Sequence, residues 1–369
     1  MATILIPTIP GDLHAAAVAH VLQRMGHRAI RWFCGDLPQR STMSYSIAGG
    51  TASLQAAGPL GRLAIEGAHV LWNRRIGAPS IKEPMPASDR AVALRESAMF
   101  SNGVLALLSD GTFAVNGARE AADAENKLTQ LRVAREVGLT LPDTLISNDP
   151  QRIRSFVRGH RSSGTVFKAF RPVTWESADR LAMLYTAKVD EAMLPDDRLL
   201  QLSPGLFQAY VPKACEIRVT CMGDELVAAR LDSQGTRDGK VDWRIAPLQE
   251  LGVTRIELPA DVQARCRALM KRLGLVFGCI DLIVTPAGQH VFLEINQMGQ
   301  FLWVEDMCGE IPLLQMFCEF LVARDPGYRH QPGRHRFPFA DVRPAAVEVL
   351  KAEQALHQEP DRGVHVVHE

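Results

Sequence analysis

Three oxygen-bearing side chains, Asp281, Glu294 and Asn296, fall close together in a stretch rich in Ile, Val, Leu and Phe, Gly278 to Asn296. The stretch reads as two short strands folded back through the turn signal Pro286-Ala287-Gly288. Side chains alternate between faces along a strand, so Glu294 and Asn296 point the same way. With Ala287 and Gly288 as a two-residue tip, Asp281 faces Glu294 directly. A three-residue loop would slip the register by one and put the two on opposite faces. Facing carboxylates on a sheet repel each other. A hard divalent cation between them removes the repulsion, and Asp, Glu and Asn oxygens are ligands that Mg2+ takes, usually with substrate phosphates completing its shell. The alternative is a polar face that is merely wetted. The flanking Phe277, Ile280, Leu282, Val284, Phe292, Leu293 and Ile295 argue against it, because buried unneutralised acids are costly. A metal site is the expectation.

Cations recur upstream. Lys168 ends the apolar strand Thr165-Val166-Phe167-Lys168, so it must reach the surface or meet an anion. Glu216 to Thr220 and Leu226 to Leu231 pair as a hairpin across Met222-Gly223-Asp224, which is expected to bring Arg218 and Arg230 to one sheet face. Asp242-Trp243-Arg244 follows in a loop. A cationic strand residue, paired arginines and a carboxylate/amide triad are what phosphoryl transfer from a nucleotide needs: a metal on the phosphates and cations that steady the charge in flight. The small-residue loop Arg161-Ser162-Ser163-Gly164 could cradle phosphate. A P-loop is excluded, since Gly235 to Lys240 fails its spacing and is followed by Val241. Arg74-Arg75 is either a solvated strand end or a contact for an acidic substrate segment.

The elements that must position these groups can be read in order. Residues 3–8, a helix over roughly 13–25 and a strand at 28–33 make a βαβ opening, with a parallel sheet expected. It lacks the Gly-x-Gly-x-x-Gly of dinucleotide binders and reads as scaffold, with His14 and His20 structural. A meander over 49–70, a strand at 70–72 and a helix over 89–108 follow. A helix then spans Ala124 to Val137, and Asn148-Asp149-Pro150 caps another over about 150–158. Residues 181–202 read as a hairpin interrupted by an acidic stretch. A helix over 260–273 leads into the metal hairpin and another lies near 311–323. From Asp325 the chain turns to Pro, Arg and His, with one amphipathic helix near 343–357 and an end from His357 onward that is expected to fray.

At 369 residues the chain has material for two or three domains. It is 47% hydrophobic and 22% charged, and Lys plus Arg equals Asp plus Glu at 41 each. Nothing there favours general attraction to nucleic acid or membrane. No apolar run reaches the roughly 18 residues that cross a bilayer. The seven cysteines are scattered, without zinc spacing, and most sit beside apolar residues, as in a reducing compartment. A cytoplasmic protein is the expectation.

Taken together, Lys168, Phe207-Gln208-Ala209-Tyr210-Val211-Pro212-Lys213, Glu216-Ile217-Arg218-Val219, Asp242-Trp243-Arg244, Phe277-Gly278-Cys279-Ile280-Asp281 and Phe292-Leu293-Glu294-Ile295-Asn296 resemble the ATP-grasp fold. More narrowly, they resemble the ribosomal-peptide maturases that crosslink microviridin-type peptides, the graspetide synthetases. Gly11-Asp12, Asn126-Lys127-Leu128, Leu141 to Pro150 and Gly299-Gln300-Phe301-Leu302-Trp303 support the likeness, which covers roughly residues 1–322. Gln297-Met298 departs from it, since the family usually has proline after the metal-binding Asn.

The resemblance implies an α/β (α+β) ATP-grasp protein: an N-terminal pre-ATP-grasp βαβ domain over 1–123, a central subdomain over 124–211, a C-terminal subdomain over 212–324, and a polar tail over 325–369. It implies ATP and Mg2+ as cofactors. Lys127 and Lys168 would hold the α/β-phosphates, the hinge with Gln208, Tyr210 and Val211 would meet adenine, and Asp281, Glu294 and Asn296 would bind Mg2+. Arg218 would steady the γ-phosphoryl, with Arg244 and Asp242 near the acceptor carboxylate. The substrate would be an Asp- or Glu-bearing precursor peptide, its leader bound near Leu184 to Leu200, and the enzyme a homodimer. The alternative is a ligase joining a small carboxylic acid to an amine.

Overall fold

The computed structural model describes residues 1–170, 174–177, 180–183, 186–236, 239–333, 336–358 and 365–366. Strand β1 (Thr3–Thr8), helix α1 (Leu13–Arg24) and strand β2 (Arg28–Phe33) form the expected βαβ unit. Gly11, at φ +77°, turns the chain, and Asp12 caps α1 by accepting from the His14 and Ala15 amides at 2.9 and 3.2 Å. The meander is β3 (Thr42–Ala48), β4 (Thr51–Gly58) and β5 (Gly61–Leu63), antiparallel throughout. Strand β6 (Val70–Trp72), helix α2 (Ala87–Asp110) and strand β7 (Phe113–Val115) complete a parallel sheet in the order β2-β1-β6-β7. Among the described residues α2 is the one helix long and apolar enough, by length and composition alone, to cross a membrane.

The helix expected over 124–137 is two: α3 (Ala118–Glu125) and α4 (Lys127–Glu136). Asn126 separates them because its side chain caps α4, accepting from the Leu128 and Thr129 amides at 2.9 and 3.2 Å. A small antiparallel sheet follows, built from β8 (Thr144–Ser147), helix α5 (Pro150–Gly159, capped by Asp149) and strand β9 (Thr165–Lys168). Next come β10 (Thr174–Ser177) paired with β11 (Arg180–Met183), then β12 (Ala187–Val189), helix α6 (Asp197–Leu202) and β13 (Gly205–Ala209). The hairpin expected over 181–202 does not form. Strand β12 pairs with β9 instead, and Asp196 caps α6 through the Leu199 amide at 2.9 Å. Residues 184 and 185 of that expectation lie outside the described residues.

The site is carried by a five-stranded antiparallel sheet. Its strands are β14 (Cys215–Met222), β15 (Glu225–Leu231), β16 (Val253–Ile256), then β17 (Phe277–Val284) and β18 (His290–Asn296), in the order β16-β15-β14-β17-β18. Helix α7 (Ala260–Arg272) covers one face, where Ile217, Val219, Ala228, Ile280, Leu282, Phe292 and Ile295 are buried with Val262 and Leu269. The other face is shared. Met222, Val227, Ala229, Phe277 and Cys279 join the core of the first domain, together with α8 (Leu302–Met307) and α9 (Leu313–Ala323).

The C-terminal helix is part of that core as well. Helix α10 (Phe339–Gln354) packs Phe339, Val342 and Ala346 on it beside α1. His357, expected to fray, is buried. It bonds Asp36 Oδ2 at 2.6 Å and stacks on Phe33 at 3.6 Å, and the Gln358 amide donates to Asp36 Oδ1 at 2.8 Å. Composition hid this because the contacts are polar and reach back more than 300 residues. The chain beyond Gln358, apart from 365–366, lies outside the described residues.

Candidate active site

The hairpin β17–β18 turns through three residues, not two. Thr285 N donates to Gln289 O at 2.9 Å, Gly288 N donates to Thr285 O at 2.8 Å, and Gly288 takes φ +81°. Alone, that loop would separate the carboxylates. A bulge between Asp281 and Leu282 on one strand, with Leu293 the extra residue on the other, restores the register, so Asp281 does face Glu294 and Cys279 faces Asn296. The sequence expectation for the pair holds through two compensating irregularities.

Around the pair the cations converge. Arg218, opposite Asp281 on β14, donates from Nη1 to both its oxygens at 2.8 and 2.7 Å and from Nη2 to Gln300 O at 3.1 Å. Lys127, the first residue of α4, reaches Glu294 Oε2 at 2.5 Å. Lys168, at the end of β9, lies where Glu294, Lys127, Asp242 and Arg244 all act on it, and burial lowers its pKa. Burial would raise the Glu294 carboxyl, but the charges of Lys127 and Lys168 override it and hold it at about 2. For Asp281 burial dominates: opposed by Arg218 and reinforced by the charge of Glu294, it lifts the carboxyl above its usual range. Arg244 forks onto Asp242 through Nε at 2.8 Å and Nη2 at 2.5 Å, and Asp242 also accepts from the Thr186 amide at 3.2 Å. Despite its burial, Asp242 is held at about 2 by Arg244.

Among the described residues no group of three His, Cys, Asp or Glu could cage a metal ion. Asp281, Glu294 and Asn296 offer two carboxylates and an amide, oxygen donors of the kind that Mg2+ takes together with phosphate oxygens.

Arg230 does not join this cluster. In the β14–β15 register it lies opposite Ile217, and Arg218 lies opposite Ala229, so the two arginines point to opposite faces. Arg230 is half-exposed and paired with Asp232 at 2.8 Å. The sequence placed both arginines in one hairpin but could not fix the register. Gln208 is buried, and its amide donates to Thr144 Oγ1 at 3.0 Å. The Tyr210 ring lies under the Lys188 ammonium at 3.7 Å, and its amide donates to Gly164 O at 2.9 Å. The turn 161–164 therefore closes on the hinge.

Several positioning residues carried no sequence signal of that role. Asn116, buried, donates to Phe277 O and Gln297 O at 2.8 and 2.9 Å and accepts from the Val276 and Phe277 amides at 2.9 and 3.0 Å. Gln130 grips Ile295 N and O at 3.1 and 2.9 Å. Arg74, expected to be solvated or to meet substrate, is buried against Asp12 at 3.1 Å and donates to Met298 O at 2.6 Å. His14 Nε2 accepts from the Phe301 and Leu302 amides at 3.1 and 3.2 Å. These bonds fix the loop after Asn296, where proline is missing.

His14 must stay neutral to accept those bonds, and burial, with Arg74 nearby, depresses its pKa from 6.5 to about 3. A depressed histidine contributes stability that is whole above pH 6.5 and is lost as the pH falls below it, because only the unfolded chain then gains the proton. His14→Gln keeps an acceptor without the titration. Its unfolding free energy, measured by urea denaturation between pH 7 and 4, is expected to fall less steeply than that of the unaltered protein.

A parallel-sheet domain joined to two antiparallel sheets, with a carboxylate pair and converging lysines, is an arrangement shared with ATP-grasp ligases. The sequence matches no family model and no curated protein, so the finer placement comes from solved structures. A RiPP-associated ATP-grasp ligase from Chryseobacterium gregarium, solved with ADP and a leader and core peptide, superposes with a TM-score of 0.80 at 25% identity, over 90% of this chain and 100% of that one. Macrocyclase MdnC from Microcystis aeruginosa MRC, bound with precursor peptide MdnA, gives 0.77 at 29% identity over 88% and 100%. Macrocyclase MdnB from the same source gives 0.73 at 27% identity over 87% and 99%. Over nearly its whole length the chain is thus similar to ribosomal-peptide ATP-grasp ligases.

Proposed function

We propose that this ligase uses ATP and Mg2+ to phosphorylate an Asp or Glu side chain of a ribosomal precursor peptide, and then lets a hydroxyl or amine of the same peptide expel the phosphate. Each round converts ATP to ADP and phosphate and removes one water from the peptide, closing an ester or amide ring. The observation that carries this reading is the cluster of Asp281 and Glu294 with Lys127, Lys168, Arg218 and Arg244, in a chain whose full-length structural neighbours were crystallised with ADP or precursor peptide.

Asp281, Glu294 and Asn296 would hold the metal, which when bound would neutralise the terminal phosphates. Lys127 and Lys168 present their ammonium groups to the phosphate oxygens, and Lys127 trades Glu294 for them. The hinge with Gln208, Tyr210 and Val211 meets adenine through its backbone, since the Gln208 side chain is engaged with Thr144. Arg218 has an Nε that is buried without a partner among the described residues, an open donor that an anionic oxygen would satisfy. Arg244, aligned by Asp242, receives the acceptor carboxylate. The leader docks on the surface around β12 and α6, and the enzyme works as a homodimer.

D-cycloserine synthetase DcsG, at 14% identity and a TM-score of 0.54, shares the fold alone, so the small-acid alternative has no further support. Incubation of the purified protein with Mg-ATP and a precursor peptide is expected to give products lighter by whole numbers of water masses, with matching ADP. ATP turnover on a small acid, with no mass loss from an authentic precursor, would overturn the reading.

A further inference from the structure

We infer that Trp243 and Trp303 form a stacked clamp that positions the Arg244-bearing loop against the metal-binding strands, an inference that rests on the peptide-ligase reading above. Among its described residues the loop between β15 and β16 contains no strand, only 3-10 turns at 233–235, 243–245 and 248–250. Its base is firmly tied. Asp232 N donates to Gly252 O at 2.9 Å, and Lys213, itself paired with Glu216 at 2.5 Å, donates to Val241 O at 3.0 Å. Ser233 donates to Glu216 at 3.0 Å.

Beyond the Lys213 bond beside it, the tip, which carries Asp242 and Arg244, has two further attachments that stand out among the described residues. One is the Thr186 amide on Asp242, belonging to the small sheet with β12. The other is the Trp243 indole, stacked on Trp303 with ring centroids 4.5 Å apart and planes 28° apart. Trp303 lies on α8, and its Nε1 donates to Gln300 O at 3.1 Å. That carbonyl also accepts from Arg218 Nη2 at 3.1 Å, and Arg218 holds Asp281. The stack therefore ties the guanidinium that would meet the acceptor carboxylate to the arginine that braces a metal ligand. Without it the tip would lose its link to α8, and Arg244 would be held less closely at its place beside the metal-binding strands. Neither indole need touch nucleotide, so both are positioning residues.

The test compares Trp243→Ala, Trp303→Ala, the double variant and Trp243→Phe with the unaltered enzyme. Each single alanine variant is expected to lower crosslinking kcat by roughly ten- to a hundredfold, with the KM for Mg-ATP and the thermal midpoint little changed. The double variant should lose no more than the worse single one, and Trp243→Phe, which can still stack, should recover most of the rate. The stacked indoles should also give an exciton couplet in circular dichroism that disappears in every variant lacking one of them. Additive losses, no recovery with Phe, or full activity in an alanine variant after the couplet is gone would overturn the clamp. Crosslinking by the unaltered enzyme tests the underlying reading and the variant-to-parent ratio tests the clamp, so the two fail separately.

Discussion

Glu294→Gln is expected to lower peptide crosslinking at fixed Mg-ATP by about a hundredfold or more. The substitution keeps the shape and leaves an acceptor for Lys127, which approaches Glu294 at 2.5 Å, so packing is retained. What is lost is the negative charge that faces Asp281 across the hairpin. One carboxylate and two amides bind Mg2+ far less well than two carboxylates and one amide. Lys127 and Lys168 would also lose the carboxylate on which both act before nucleotide arrives. Raising Mg2+ should recover part of the rate, because the defect is in metal occupancy. Arg230→Ala serves as the control, since its partner Asp232 lies on a solvated edge and such pairs contribute little. Mass spectrometry of the peptide across a Mg2+ titration reads both. A Glu294→Gln enzyme within about threefold of the parent at every Mg2+ level would contradict the metal assignment.

Arg218→Met is expected to destabilise the fold by about 3–5 kcal/mol as well as stop the chemistry. Arg218 is almost fully buried, with 6% of its side chain exposed, and is the guanidinium bonded to both Asp281 oxygens. Removing it leaves a buried carboxylate facing Glu294 with its charge unbalanced. The sign can be checked by a second change. Asp281→Asn in the Arg218→Met background removes the stranded charge, so stability should partly return while activity does not. Urea denaturation measures the first and ADP release the second. Equal stability of Arg218→Met and the parent would mean that the pair is not buried as described.

How much of this was legible in the sequence depends on the kind of interaction. Strands and helices announced by periodicity and caps, such as β1, α1, α5 and α7, fall within a residue or two of their expected bounds. The carboxylate pair was legible as chemistry, though its register comes from a three-residue turn and a bulge that no local pattern marks. Arg230 was misplaced because hairpin membership does not say which face a residue takes. Asn116, Gln130 and Arg74 were beyond reach for another reason: each acts through main-chain groups more than 100 residues away. Single buried polar residues of that kind have no period and no spacing.

Helix α1 is buried on both sides, by its own sheet and by α9 and α10 from the far end of the chain. As the polypeptide leaves the ribosome, the opening βαβ unit would wait with its alanine-rich surface uncovered until α9 and α10 have been made. Folding of the first part is thus timed by synthesis of the last. A premature stop before Phe339 would yield a protein with every proposed site residue present and an unsealed interior, a state that chaperones and proteases would meet first.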